Sequence, residues 1–255
     1  MMYSVRKTTV KHGDANLIVL IYILIITSIL IHQYGINYLV IFCSSALLHM
    51  LIETGLSIFG IRKGSVYIFG NELPRAADVV LKSLVEGPAF CVPAFFVADQ
   101  FQSENYLFPI VLSVAVVGLA AFYLGWRDKV NIGKLTKEET PLVSRRAMTK
   151  PLAVILLALI NSGCIAAFFL IPLTHRGHAF TYLFAYSVFV LLFYFINYNL
   201  GVRYIEMYES ETKKYTKPGI GFQMAGLTYD SAYEMALLVS PAYWLTFYLG
   251  FFMLD

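Results

Sequence analysis

Charge is scarce in this chain. Of 255 residues only 14% are Asp, Glu, Lys or Arg, against roughly a quarter in soluble domains, which excludes an ordinary soluble domain. Cysteine is scarcer still: Cys43, Cys91 and Cys164 all lie in apolar stretches and form no CxxC pair. They read as small core residues, which excludes a disulfide framework or a zinc ribbon. The five histidines are too few for a membrane di-iron oxygenase. No Ser-His-Asp order, Gly-rich phosphate loop or dinucleotide fingerprint occurs, so no cofactor is expected. A net charge of +3 gives no ground for a nucleic-acid partner, and no low-complexity tract or internal repeat stands out.

What is abundant is apolar sequence, 58% of the chain, gathered in blocks of the length that crosses ~30 Å of hydrocarbon as a helix. The expectation is a single all-α transmembrane domain over 1–255, with seven spans near 16–33, 36–60, 79–99, 107–126, 151–173, 179–203 and 230–253. Arg6, Lys7 and Lys11 before the first block resemble the start of a signal peptide, but no small-residue cleavage site follows, so the block is read as a span.

Basic residues orient the bundle, since cytoplasmic loops are enriched in them. With alternating sides, eighteen of the nineteen Lys and Arg fall on one side and only Arg176 on the other. The predicted topology therefore has a cytoplasmic N-terminus and a C-terminus on the opposite side. This orientation is the reverse of G-protein-coupled receptors and microbial rhodopsins. The last span also lacks the lysine that a retinal Schiff base needs. The compartment is the endoplasmic reticulum for a eukaryotic chain and the inner or plasma membrane for a prokaryotic one.

Ionisable side chains inside a span are costly and mark functional sites by default. The second span carries His49 and Glu53, four residues apart and so on one helical face. The third carries Glu86 ahead of Gly87 and Pro88. The seventh opens with Asp230 and Glu234, with Tyr233 beside them. Counting ~1.5 Å per residue from the flanking charges puts Glu53 and Glu86 at one level, roughly 12–14 Å inside the cytoplasmic boundary. Asn161 falls slightly deeper, and Asn197, Tyr198 and Asn199 slightly shallower. Together they predict one polar chamber. Pro88 and Pro93 each remove a helical hydrogen bond, which at membrane depth requires surrounding protein or a cavity. Gly118, Ala120, Ala121 and Gly125 suit close helix contact by a peripheral fourth span.

Plainer readings stand beside these. A His and Glu four apart also serve to tie helices together, Asp230 and Glu234 also suit an interfacial helix start, and the three asparagines also suit interhelical glue. Tyr182, Tyr186, Tyr194, Tyr243, Trp244 and Tyr248 fit an aromatic belt or the core. His175 and His178, on the expected outer connection between spans five and six, have no further ligand nearby in sequence, so no metal site is expected.

The stretch Leu48-His49-Met50-Leu51-Ile52-Glu53 resembles the His-x-x-x-Glu of the second helix in the emopamil-binding-protein family, which includes the sterol Δ8–Δ7 isomerase. Ser65-Val66-Tyr67-Ile68-Phe69-Gly70 is similar to that family's connection, and Lys82-Ser83 through Glu86, Phe90 and Pro93 to its next helix. The likeness covers about residues 45–100; the family's core has four or five helices, not seven. The seven-helix plan is also similar to that of membrane-bound terpene cyclases. Both resemblances imply proton-initiated chemistry on an isoprenoid or sterol-like lipid. Burial helps a carboxyl keep its proton at neutral pH, and a dry chamber strengthens the stabilisation of a carbocation. The expectation is an isomerase or cyclase without a cofactor, Glu53 and Glu86 sharing the acid and base roles and His49 orienting Glu53. Asn161, Asn197, Asn199, Tyr198, Tyr233, Glu234 and Asp230 would line the substrate. The alternatives are a lipid carrier or receptor using the same cavity without turnover, and a proton-coupled transporter. In every case the expected partners are an apolar ligand and membrane lipids.

Overall fold

The computed structural model describes residues 2–6, 10–58, 65–101, 103, 105–134, 144–147, 162, 165–166, 168–209, 214–216 and 219–224. They are mostly helical: α1 (Gly13–Tyr34), α2 (Asn37–Ile58), α3 (Arg75–Glu86), α4 (Pro88–Gln100), α5 (Leu107–Lys134) and α6 (Leu173–Asn199). Five stretches among the described residues are long and apolar enough to cross a membrane, with α3 and α4 together making one of them. The expected spans 151–173 and 230–253 lie largely or wholly outside the described residues.

Side-chain exposure follows membrane logic. Ile18, Ile21, Leu24, Ile25 and Ile29 of α1 are exposed, as are Phe108, Val111, Leu119 and Phe122 of α5 and Phe180, Phe184 and Phe195 of α6. Apolar surface this extensive is unstable in water and suits lipid. At the centre sits α4, where every residue from Pro88 to Ala98 except Phe90 is buried. It packs against α2, α5 and α6. Tyr182, Tyr186 and Tyr194 of α6 are fully buried, so they belong to the core and not to a belt.

Two glycines set helix distances. A Cβ on Gly125 would lie 2.7 Å from Leu200 Cδ1 and 3.0 Å from the Asn197 side-chain oxygen, so the small residues of α5 do bring it close to α6. A Cβ on Gly87 would lie 2.7 Å from the Ser45 carbonyl oxygen of α2 and 3.3 Å from His49 Cβ.

Several expectations are corrected. The fold is not purely α: two small sheets form from the segments that link the spans. One has strand order β5-β1-β6-β7, from Ser144–Ala147, Met2–Arg6, Arg203–Glu209 and Lys214–Thr216, all antiparallel. The other, β2-β3-β4, joins Val10–His12 to Ser65–Ile68 in parallel and that strand to Asn71–Glu72 antiparallel. Alternation was too short in these charged segments to announce strands, and partners far along the chain supply the pairing. The second sheet's hairpin turns through Phe69 and Gly70, both at positive φ, as a two-residue turn requires. The Asp14 carboxylate at the start of α1 accepts the Phe69 amide at 2.8 Å, tying helix to hairpin. The third span divides at Gly87, because Pro88 cannot donate within a continuous helix and instead opens the next one. It also begins earlier than expected, at Arg75, which draws Asp78 inside it beside Lys82. The sixth begins at Leu173, so His175 and His178 lie in its first turns and not on a connection. Cys43 is exposed, unlike buried Cys91.

Gly87→Ala is expected to lower stability by roughly 1–3 kcal/mol through overpacking against Ser45. Gly55→Ala, with nothing within 4 Å of its added carbon, is expected to raise it by up to about 1 kcal/mol. Thermal unfolding of the detergent-solubilised protein checks both.

Candidate functional site

The ionisable residues that the sequence placed at one depth meet. His49 and Glu53 share a face of α2, and Glu86 closes α3 opposite them. His49 Nε2 lies 3.5 Å from Glu86 Oε2 and 3.8 Å from Glu53 Oε1. His49 and Glu53 are buried, while the Glu86 side chain keeps 27% exposure. The local cause is the helix break. With Pro88 starting α4 and Gly87 bare against Ser45, the end of α3 comes close enough to α2 for Glu86 to reach His49.

Both spacings exceed a hydrogen bond, and neither His49 nitrogen has a hydrogen-bond partner among the described residues. The imidazole therefore stands between two carboxylates with room to hold or pass a proton. One ligand atom from each of the three residues lies within 4.8 Å of the others, so the same group could hold a divalent ion.

No family model, curated protein or solved structure matches this chain. The site's chemistry thus rests on its own geometry.

Below the triad, on the strand-bearing side, lies a feature the sequence reading missed. Asp78 and Lys82 are buried, and Lys82 Nζ donates to Asp78 Oδ2 at 2.6 Å. Arg75 Nη1 donates to the same oxygen at 3.1 Å, and Arg75 Nε donates to Ser57 Oγ of α2 at 2.8 Å. Sequence alone placed Arg75 on a cytoplasmic connection and Lys82 just inside the third span, and assigned neither to Asp78. The available signal was spacing: Asp78, Lys82 and Glu86 stand four apart, on one helical face.

The other expected lining residues are not drawn into this group. Asn197 is buried against Gly125, with its amide donating to Phe193 O of its own helix at 2.8 Å. Asn199 is exposed and donates to Phe195 O of its own helix at 2.7 Å. Tyr198 is half-buried and packs at the margin of the core. Asn161, Asp230, Tyr233 and Glu234 lie outside the described residues. At the far end of the bundle Tyr38, fully buried, donates to Asp99 Oδ2 at 2.7 Å, and His178 meets the Phe95 ring edge-on at 5.2 Å.

A double-mutant cycle on His49→Gln and Glu86→Gln is expected to show a coupling of roughly 0.5–3 kcal/mol in unfolding free energy. The control pair His49→Gln and Asn199→Ala, whose side chains do not meet, should be additive.

Proposed function

We propose that this chain is an integral membrane enzyme that uses the His49, Glu53 and Glu86 triad for proton-initiated isomerisation or cyclisation of an isoprenoid or sterol-like lipid. The observation that carries the reading is an imidazole standing between carboxylates from two helices inside an apolar bundle.

Glu86, the more accessible carboxyl, faces an incoming lipid, while Glu53 lies behind His49. In the acid step the carboxyl O–H gives its proton to one carbon of an alkene, forming a C–H bond and leaving a cation on the other carbon. In the base step a carboxylate or His49 Nε2 takes a proton from a neighbouring carbon, and the alkene reforms at a shifted position. His49 returns the proton between the two carboxyls, so no net proton is consumed. Spacings of 3.5 and 3.8 Å tighten as the substrate excludes water.

A second reading follows from the same atoms. The three ligand atoms lie within 4.8 Å of one another, wider than the roughly 3.3–3.5 Å edges of a tetrahedral zinc site with bonds of ~2.0–2.1 Å, so the side chains would close in to hold the ion. Such an ion would polarise a substrate oxygen instead of supplying a proton.

The seven-span arrangement belongs to the same proposal and is supported by strand pairing. Residues 2–6, 144–147 and 203–209 share one sheet and hence one side of the membrane. Between 147 and 203 an even number of crossings is required; α6 supplies one, which leaves another before Leu173. The positive-inside rule makes the sheet side cytoplasmic.

Membranes holding the wild type, supplied with sterol and polyprenoid substrates, should yield an isomerised or cyclised product. Glu53→Gln and Glu86→Gln should each lower its rate by about 10²-fold or more. Equal lipid binding by all three without product would make the chain a carrier. Proton-driven uptake into vesicles would make it a transporter. Stoichiometric zinc in the purified wild type, lost in His49→Gln, would establish the metal reading.

A further inference from the structure

The seam between α2 and α3 extends well beyond the triad. His49, Glu53 and Ser57 recur every four residues along one face of α2. Asp78, Lys82 and Glu86 do the same on α3, which packs against it. Contacts at both ends fix an antiparallel register: His49 meets Glu86 at one end, and Ser57 meets Arg75 at the other. Eight residues of helix span ~12 Å, and over that length the seam is lined by polar groups. Its outer end is open, since the Arg75 side chain is 36% exposed, whereas Asp78 and Lys82 are buried. That end adjoins the β3–β4 hairpin, on the face that carries both sheets.

We propose that this seam carries protons from the sheet-bearing face to the triad, with Asp78 and Lys82 as the relay. The Asp78 carboxylate takes Lys82 and Arg75 on Oδ2, while its buried Oδ1 has no hydrogen-bond partner among the described residues. That oxygen is the acceptor for a proton arriving past Arg75. Lys82 stands one helical turn from both Asp78 and Glu86, so its flexible stem lets Nζ serve either carboxylate. For each proton that the triad exchanges with the aqueous phase, one passes the Arg75 mouth and is handed on through Asp78 and Lys82, leaving their charges unchanged.

Among the described residues, supply is one-sided. Past Gly87 the interior turns to Ile41, Phe42, Val92, Phe95 and Phe96, all buried. Ser44 and Ser45 there donate to carbonyls of their own helix. From α1, which also packs on α3, the buried polar side chains are the neutral Asn16 and Thr27.

The inference rests on the triad's exchanging protons, not on which lipid is transformed, and its test is independent of turnover. The full-length protein is reconstituted in vesicles sorted by accessibility of an N-terminal tag. Infrared spectroscopy then follows the carboxyl band that disappears in Glu53→Gln or Glu86→Gln after a pH jump on one face. In the wild type the band should follow the sheet-bearing face at least about tenfold faster than the opposite face. The charge-neutral pair Asp78→Asn with Lys82→Met should slow that response by about tenfold or more, and Lys82→Arg, which keeps the charge but does not release a proton, should slow it likewise. Equal response from both faces in the wild type would overturn the proposal even if the paired variant fails to fold. So would an unchanged rate in a folded paired variant. A slowed rate in a protein that makes no product would leave the route standing and remove the enzymatic reading.

Discussion

Acidic groups buried in an apolar helix bundle have to be answered from within the bundle, because lipid offers neither charge nor hydrogen bond. Everything distinctive about this protein follows from that constraint. Glu53 and Glu86 are answered by His49, and Asp78 by Lys82 and Arg75. These pairs are an unlikely source of net stability, since desolvation offsets most of the attraction in a buried ion pair. Their retention in a chain that is only 14% charged points to use, and the site is concentrated on one pair of helices.

The constraint is met through a backbone feature. An unbroken third span would present Glu86 on a continuous helix whose distance from α2 is set by ordinary side chains. Gly87 removes that spacer and Pro88 restarts the helix, so the backbone closes on Ser45 and the carboxyl arrives at His49. Glu86 and the residues creating the approach, Gly87 and Pro88, are adjacent in sequence. Local order and site geometry are therefore coupled, and the most buried helix, α4, anchors the junction from the other side.

The sheet-bearing face gives the bundle polarity. Segments that the distribution of basic residues assigned to one side pair with one another as strands, joining the N-terminus to connections more than a hundred residues away. The polar seam opens on this face, while among the described residues the opposite end is packed with aromatic and aliphatic side chains around Tyr38, whose hydroxyl donates to the exposed Asp99.

Membrane-spanning character, the approximate bounds of the five described spans and the pairing of His49 with Glu53 were legible because they depend on hydrophobic length and on the 3.6-residue repeat, both local properties of a chain. The common depth of Glu53 and Glu86 followed from counting along two helices. What the sequence could not convey was lateral position. Depth does not say which faces turn inward, so Asn199, level with the site by counting, is exposed, and Asn197 seals a contact with α5 instead. Nor did it give Lys82 its partner, because Asp78 falls outside a span begun at residue 79 until the helix start at Arg75 brings the two within one turn. The strands were hidden for a similar reason, since a short charged segment acquires its pairing only from distant residues. Hydrophobicity and periodicity are written along one dimension; which polar groups meet is decided by how helices rotate and approach, and that is a property of the packed bundle alone.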